Sequence, residues 1–338
     1  MILLIRHAGA SVFMRKLSAA LCAIYIATFG ANAGAQAGAA DYPNRPIRFI
    51  VPFGAGGLAD IFSRALAQDL WERMGQPVVV DNRAGANEAI GIEAAAKSAP
   101  DGYTIMLGTL SGLVLNTLAR KQLPYDPVRD FAPVSQLLNT SFYLVVHPSL
   151  AARSTRELIV LAKSNPGKLT YGSTGIGSIQ HLGMALLASK ADIKLVHVPY
   201  KAAAQATTDI VSGQVDILYG GPSTSPHIAS GRLRAIAYGG AKRSVLTPDL
   251  PTVGESGAPG CEVLSWMGLV VPAATPRPIV QRLHAAVGEM LRSSATRQKF
   301  ATTDLDLVSS TPEEFGEFIR AEFVKWTPVM RQAGIQPE

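Results

Sequence analysis

The sequence predicts an α/β protein of two lobes, each built on a mixed, mostly parallel sheet flanked by helices. Short apolar runs alternate with helical patterns along the chain, which is how βαβ units read. The alternation restarts near residue 140. One device then occurs twice: a strand, a loop of glycines, a helix start and a second strand. It reads Phe53-Gly54-Ala55-Gly56-Gly57 in the first half and Gly172-Ser173-Thr174-Gly175-Ile176-Gly177-Ser178 in the second. Gly54 and Gly172 are 118 positions apart, too far for a solenoid repeat and about one small domain. A chain of 338 residues is long enough for two cores of ordinary size.

The elements follow in order. Residues 47–53 form the first strand. Residues 60–74 form an amphipathic helix, with Phe62, Leu66 and Leu70 at four-residue spacing on its apolar face. Strands follow at 77–80 and 103–108. After the restart, 142–146 is a strand stopped by His147-Pro148, and Ser154 with Glu157 opens a helix as a capping box that Asn165-Pro166-Gly167 closes. Residues 169–171 lead into the second glycine loop, a helix over 181–189 and a strand over 194–198. Two more strands lie at 216–219 and 233–238. Helices over 278–292 and 313–326 end the chain, the second started by Thr311-Pro312 with Glu314 at the capping-box position.

Composition excludes several classes. With 48% hydrophobic and 17% charged residues, the chain is neither disordered nor collagen-like. Its +6 charge invites a nucleic-acid or membrane reading, but residues 1–37 hold Arg6, Arg15 and Lys16 and no acid, so the remainder carries +3. Arg15-Lys16, the apolar stretch 17–29 and the small-residue run 31–37 have the layout of a secretory signal peptide. That stretch is shorter than the roughly 20 residues a spanning helix needs. Met14 is an alternative start. Cys22 lies in the apolar stretch, so removal of the segment leaves Cys261 alone and excludes an intramolecular disulfide. No run of five or more basic residues and no stacking platform suggests nucleic acid. No nucleophile elbow and no zinc motif occurs, and His181 and His197 are read as structural.

Glycines before a helix let backbone amides converge on an anion, because first-turn N–H groups lack intrahelical partners and the helix end is positive. Two such loops facing across a cleft would grip a carboxylate from both sides. The same residues offer a rival: Gly54-Ala55-Gly56-Gly57-Leu58-Ala59 fits the dinucleotide fingerprint, with Asp81 as ribose-binding acid of an NAD-dependent oxidoreductase. Pro52-Phe53 before the glycines, the export segment and the lack of a catalytic His or Lys constellation weigh against it.

Motifs along the chain carry a more specific likeness. Tyr42-Pro43-Asn44-Arg45-Pro46-Ile47, Ile50-Val51-Pro52-Phe53-Gly54-Ala55-Gly56-Gly57, Asp81-Asn82-Arg83-Ala84-Gly85-Ala86, Pro100-Asp101-Gly102-Tyr103-Thr104 and Pro124-Tyr125-Asp126 stand in order. So do Asn165-Pro166-Gly167-Lys168, His197-Val198-Pro199-Tyr200-Lys201, Leu250-Pro251-Thr252-Val253 and Ser265-Trp266. From about Tyr42 to its end the chain resembles the Bug-type solute receptors of tripartite tricarboxylate transporters. The resemblance implies a type II periplasmic binding protein that is not an enzyme, works without cofactor or metal, and is a monomer. It would hand a small carboxylate to membrane permease subunits. Lobe 1 would comprise 41–142 with 265–338, and lobe 2 the inserted 143–264. A ligand sensor for a signalling receptor is the alternative on the same fold. Ligand contacts implied by position are Phe53, Gly54, Ala55, Gly56, Gly57, Leu58, Ala59 and Asp60, with Thr109 and Ser111, from lobe 1. Lobe 2 would supply Ser173, Thr174, Gly175, Ser178, Tyr200, Gly220, Gly221 and Pro222.

Departures from the family pattern bear on the ligand. Leu58-Ala59 replaces Ser-Thr, Ala84-Gly85-Ala86-Asn87-Glu88 replaces Pro-Gly-Ala-Gly-Gly, and Ala202-Ala203-Ala204-Gln205 replaces Gly-Ser-Ala-Pro. Gly220 stands where an acid suited to an amino group is often found. An ammonium buried there without a counter-charge would cost several kcal/mol. The expected ligand is a carboxylate without an ammonium group and with an apolar body.

Overall fold

The computed structural model describes residues 41–335 apart from 201–202, 222–223 and 302; the expected signal segment 1–37 and Pro222 lie outside the described residues. Two sheets organise the chain. The first contains β1 (Ile47–Val51), β2 (Val78–Asn82), β3 (Thr104–Thr109), β4 (Phe131–Ser141), β10 (Leu264–Pro272) and β11 (Leu305–Leu307), in the order β11-β4-β10-β3-β1-β2. The second contains β5 (Tyr143–Val146), β6 (Thr170–Ser173), β7 (Val196–Pro199), β8 (Ile217–Gly220) and β9 (Arg234–Tyr238), in the order β7-β6-β8-β5-β9. Both are mixed. β1 runs parallel to β2 and β3, and β6 parallel to β7 and β8. Antiparallel pairs are added by β10 with β3 and β4, by β11 with β4, and by β5 with β8 and β9.

The first sheet is covered on both faces, so its inner strands β3 and β10 read as nearly continuous apolar runs. Side chains alternate across a strand: Ile47, Phe49 and Val51 enter one apolar cluster and Ile50 the other, and likewise Ile105 and Leu107 against Met106. α1 (Leu58–Met74) packs on the first of these with Phe62, Leu66 and Leu70 fully buried, and ends at Gly75 in the left-handed conformation, whose N–H reaches Trp71 O. α2 (Ala89–Ala96) and the π-helical turn Ser111–Leu115 leading into α3 (Asn116–Ala119) follow β2 and β3. In the second lobe stand α4 (Thr155–Ser164), α5 (Ile179–Ala191), α6 (Ala203–Val211) and α7 (Ser225–Ala229). Ser154 caps α4 by accepting from Glu157 N, but Glu157 Oε2 turns to Arg153 N, so that capping box is half formed.

α8 (Arg277–Arg292), α9 (Ser294–Phe300) and α10 (Pro312–Gln332) complete the chain. Thr311 and Glu314 form a full capping box on α10. α10 is pinned to β10 by one buried acid: Glu322 Oε2 accepts the indole N–H of Trp266 at 3.2 Å and of Trp326 at 3.1 Å. Glu322→Ala leaves two buried N–H donors unpaired, at about 1–3 kcal/mol each. Urea unfolding should show that loss, and Glu322→Gln, which keeps an acceptor oxygen, should cost less than half of it.

The chain leaves the first sheet at Ser141 and enters the second at Tyr143, and returns at Leu264. Both crossings are tied together. Ser141 Oγ donates to Val263 O at 2.9 Å, Gly239 N to Phe142 O at 2.8 Å and Val263 N to Gly239 O at 2.8 Å. A Cβ on Gly239 would stand 2.9 Å from the Phe142 carbonyl oxygen, so only glycine allows this approach. Asp304, just before β11, accepts from Tyr143 Oη and Ser244 Oγ and so links the C-terminal part of the first lobe to the second.

Candidate functional site

Because β1, β2 and β3 are parallel, the loops that follow them share one edge of the first sheet; those after β6, β7 and β8 share one edge of the second. These are the carboxyl ends of strands, where open α/β sheets bind ligands. Sequence-named residues fall on both edges: 53–60 after β1, Thr109 and Ser111 around the end of β3, 173–178 after β6, Tyr200 after β7, and Gly220 and Gly221 after β8.

The loop after β1 is held open from beneath. Gly54, Ala55, Gly56 and Gly57 are exposed, Phe53 and Leu58 half-buried, Ala59 and Asp60 buried. Asp60 Oδ2 accepts Gly56 N at 2.9 Å and Arg64 Nε at 2.9 Å, and its Oδ1 accepts Asn82 Nδ2 at 2.9 Å. Asn82 Nδ2 also donates to Phe53 O at 3.0 Å. The Arg64 hydrogen bond, with that of Gly56, holds the Asp60 carboxyl down to about 2. Asp60 is therefore a fixed anion that shapes the loop, and the Gly56 amide is already engaged. What remains free is the helix end itself: Gly57 offers no side-chain cap, and among the described residues the amides of Leu58, Ala59 and Asp60 have no hydrogen-bond partner.

The second glycine loop is built differently. Ser173 Oγ accepts Gly175 N at 3.1 Å and lies 2.7 Å from His197 Nε2, Gly177 N donates to His181 Nδ1 at 3.1 Å, and Ser178 Oγ caps α5 by accepting His181 N. Thr174 Oγ1 donates to Gln180 Oε1 at 3.0 Å. The two loops are thus not equivalent cradles: most of the second loop's donors are spent inside it. Gly56 and Gly175 have φ of +86° and +115°; a Cβ would meet open space at Gly56 and only an ordinary contact, Tyr200 O at 3.8 Å, at Gly175, so a Cβ at either is opposed by backbone strain and not by a clash. Gly56→Val and Gly175→Val should each weaken carboxylate binding at least about tenfold while the protein still folds, as titration calorimetry and melting curves would show.

The other named residues are placed as follows. Thr109 Oγ1 is buried, donates to Glu88 Oε2 at 2.5 Å and accepts Gly112 N at 3.0 Å, so its hydroxyl is committed. Ser111 is half-buried at the start of the π-helical turn. Tyr200 sends its ring into the second-lobe core against Gly172, and only its backbone N–H, bonded to Ser173 O, serves the loop. Gly220 pairs with Tyr143 and is packed on by Thr224, whose Oγ1 would be 2.5 Å from a Cβ there. The missing acid at 220 is therefore a steric matter too, since no side chain fits while Thr224 holds Gly221 O. Gly221 lies beside Phe142.

Glu88 is the feature that sequence reasoning noted only as a departure. Gly85, Ala86, Asn87 and Glu88 all have positive φ, of 127°, 48°, 52° and 73°, an uncommon run for three residues that carry a Cβ. The Glu88 side chain is 7% exposed and touches Thr109 and the π-helical turn. Burial pushes its carboxyl up to about 8, against the opposing hydrogen bond from Thr109. Asn87 Nδ2 donates to Asn116 Oδ1 at 2.6 Å and Asn116 Nδ2 to Asn87 O at 2.5 Å, locking this loop to α3.

The two edges meet in a cleft of about 1110 Å³. Asn87, Asn116, Ala119 and Arg120 line it from the first lobe, and Tyr171, Thr174, Ile176, Gly177, Ser178, His181 and His197 from the second, with residues 333–335 beside them. Of the sequence-named contacts only Thr174, Ser178 and the adjacent Gly177 stand on this wall. The rings of Tyr171, His197 and His181 form a slab, the two imidazoles 3.9 Å apart and nearly parallel. Burial, with His197 beside it, holds His181 down to about 4, and burial lowers His197 as well, so both are neutral at pH 7. No group of His, Cys, Asp and Glu among the described residues could hold a metal ion. Asp81, the ribose acid of the dinucleotide alternative, has its Oδ2 filled by Arg48 and Arg83.

Two α/β lobes joined at paired strand crossings, with the start of α5 and neutral donors on the wall of an open cleft, define a solute-binding receptor. Residues 62–335 match the model of the tripartite tricarboxylate transporter family receptor, and the chain belongs to that family. It is 36% identical to the protein BugT of Bordetella pertussis over 93% of this chain and 97% of that one. Among solved structures it is similar to R. palustris Rpa4515 with adipate, at 33% identity and TM-score 0.78 over 88% of this chain and all of that one. It is also similar to MatC of Rhodopseudomonas palustris with bound malate, at 28% identity and TM-score 0.72 over 85% and 99%.

Proposed function

We propose that this receptor captures a small carboxylate lacking an ammonium group in the cleft between its lobes and delivers it to permease subunits in the membrane. The observation that carries this reading is the uncapped start of α1, where amides with no partner stand behind exposed glycines on a loop that Asp60 holds rigid. That end is a ready-made anion site. Rpa4515 with adipate and MatC with malate, both similar to this chain over most of its length, support the carboxylate class. The ligand body would lie on a wall of Ile176 and the Tyr171–His197–His181 slab. Neither this wall nor Gly220 offers a carboxylate to an ammonium group.

In this reading, lobe 1 is 41–142 with 265–338, lobe 2 is 143–264, and 1–37 is removed on export; the mature monomer works outside the cytoplasm without cofactor and performs no catalysis. Binding and lobe closure are one equilibrium, because a ligand bound by both edges favours the closed arrangement by its extra contacts. Mass spectrometry of small molecules released by denaturing gently purified protein tests it. A carboxylic acid without an amino group is the expected product, and an amino acid or a nucleotide would refute the reading.

A further inference from the structure

The lobes meet a second time, on the far side of their crossings from the cleft. β4 and β10, the strands that lead to and from the second lobe, stand inside the first sheet, with β3, β1 and β2 on one side of them and β11 on the other. In the second sheet β5 likewise separates β8, β6 and β7 from β9. The cleft is lined by Asn87 and Arg120, which follow β2 and β3, and by Tyr171 and His197, on β6 and β7. Asp304 before β11 and Ser244 after β9 belong to the opposite side, where Asp304 Oδ1 accepts the Ser244 hydroxyl and its Oδ2 that of Tyr143. Each end of this contact is fixed to its own lobe. Leu305 pairs with Thr140 of β4, and Thr303 Oγ1 donates to Phe300 O at 2.6 Å. Arg243 Nε donates to Glu255 Oε2 at 2.9 Å, and Ser244 Oγ accepts Leu246 N at 3.0 Å. Packing does not join the lobes here: Leu305 belongs to an apolar cluster of the first lobe, Tyr143 and Tyr238 to one of the second, and a cavity of about 310 Å³ lies between them.

The geometry points to Asp304 as a latch that holds the cleft open in the ligand-free receptor and is released when the lobes close. Lobes that turn about the crossings at 141–143 and 263–264 work as a lever: as the edges beside the cleft approach, the β11 and β9 edges separate. Closure therefore pulls Asp304 away from its two hydroxyls, and hydrogen bonds to a carboxylate are of the stronger kind. In this structure the latch is made while none of residues 53–60 lines the cleft, so the start of α1 stands off from the second lobe. The inference rests on the lobe closure of the receptor reading and adds to it the residue that sets how often the empty receptor is closed. Apparent affinity scales with the fraction of protein in the competent form, so a latch on the open form lowers affinity without touching the ligand. It also keeps the empty receptor from resembling the loaded one. Asp304 and Tyr143 stand 161 positions apart, and no local signal in the sequence marks the pair.

Small-angle X-ray scattering of the protein without ligand, together with calorimetric titration of adipate, or of malate if wild type binds it more tightly, is the test. Ligand-free Asp304→Ala should have a smaller radius of gyration than wild type, shifted toward the value wild type reaches at saturation with that acid. It should also bind the acid at least about threefold more tightly. Tyr143→Phe removes one of the two hydroxyls, keeps the ring and should move both readouts the same way by less. Melting curves show that each variant folds, and Tyr143→Phe decides alone if Asp304→Ala does not. A radius of gyration unchanged in the folded variants, or an affinity equal to or weaker than that of wild type, overturns the latch and leaves the receptor reading standing. Wild type that neither binds nor contracts with adipate, malate or benzoate overturns the receptor reading and the latch with it.

Discussion

Replacing Asp60 by alanine should destabilise the protein by about 2 kcal/mol at pH 7 and weaken ligand binding at least about tenfold. The carboxylate is almost wholly buried at the foot of the first glycine loop and is the acceptor for Gly56 N, Arg64 Nε and Asn82 Nδ2. Its carboxyl is held down to about 2 from 3.8, first by Arg64. Such a depressed group stabilises the fold fully above the unfolded value near 4, and the contribution disappears as pH falls toward 2. The shift corresponds to roughly 2.5 kcal/mol, trimmed to about 2 because Arg64 is half exposed to solvent. Urea unfolding of wild type and Asp60→Ala should show a gap at pH 7 that narrows at pH 3. A gap of the same size at both would mean that the loss is one of packing and not of the charged network.

Glu88→Gln should act in the opposite direction and raise stability at high pH. Burial lifts the Glu88 carboxyl from 4.5 to about 8, so the folded protein keeps a proton that the unfolded chain gives up. For an acid raised in the fold, stability is unaffected below pH 4.5, falls as pH climbs from there to 8, and is level beyond. The loss amounts to several kcal/mol at pH 8. Glutamine cannot ionise yet can still accept the Thr109 hydroxyl. Melting temperatures of the two proteins should coincide at pH 4.5 and diverge toward pH 8, with Glu88→Gln the more stable; parallel curves would contradict a protonated Glu88. The chain thus holds a carboxyl beside its binding edge at the expense of neutral-pH stability, and three residues with a Cβ adopt positive φ to place it.

The parts of the fold legible in the sequence are those whose signals are local. Phe62, Leu66 and Leu70 show α1 by their period, Thr311 and Glu314 show the start of α10 by a capping box that is fully formed, and Gly54 to Gly57 mark the first loop. β4, β10 and β11 escaped the strand count. β10 reads only as an apolar run, and β4 has Pro133 and Gln136 within it, so their role emerges from pairing across more than a hundred residues. The same limit applies to the site. The glycines showed where amides converge, but not that Asp60 and Ser173 hold those loops from inside. His181 and His197 read as structural because one sits in the first turn of a helix and the other inside a strand; the 3.9 Å stacking that brings them onto the cleft wall is tertiary. Asn87 and Glu88 were visible as departures from the family pattern, and that signal pointed to the loop now found to carry the strain and the buried acid.

The central claim is that the cleft takes an anionic carboxylate and that the glycine loops are not a dinucleotide site. A ligand that binds only the folded state raises the melting temperature in proportion to the logarithm of its concentration over Kd. Melting the protein against malate, adipate, benzoate, aspartate and NAD therefore tests it directly. At least one of the first three acids should raise the melting temperature progressively with concentration, aspartate less, and NAD not at all; a rise with NAD or aspartate and none with the other acids would contradict the account.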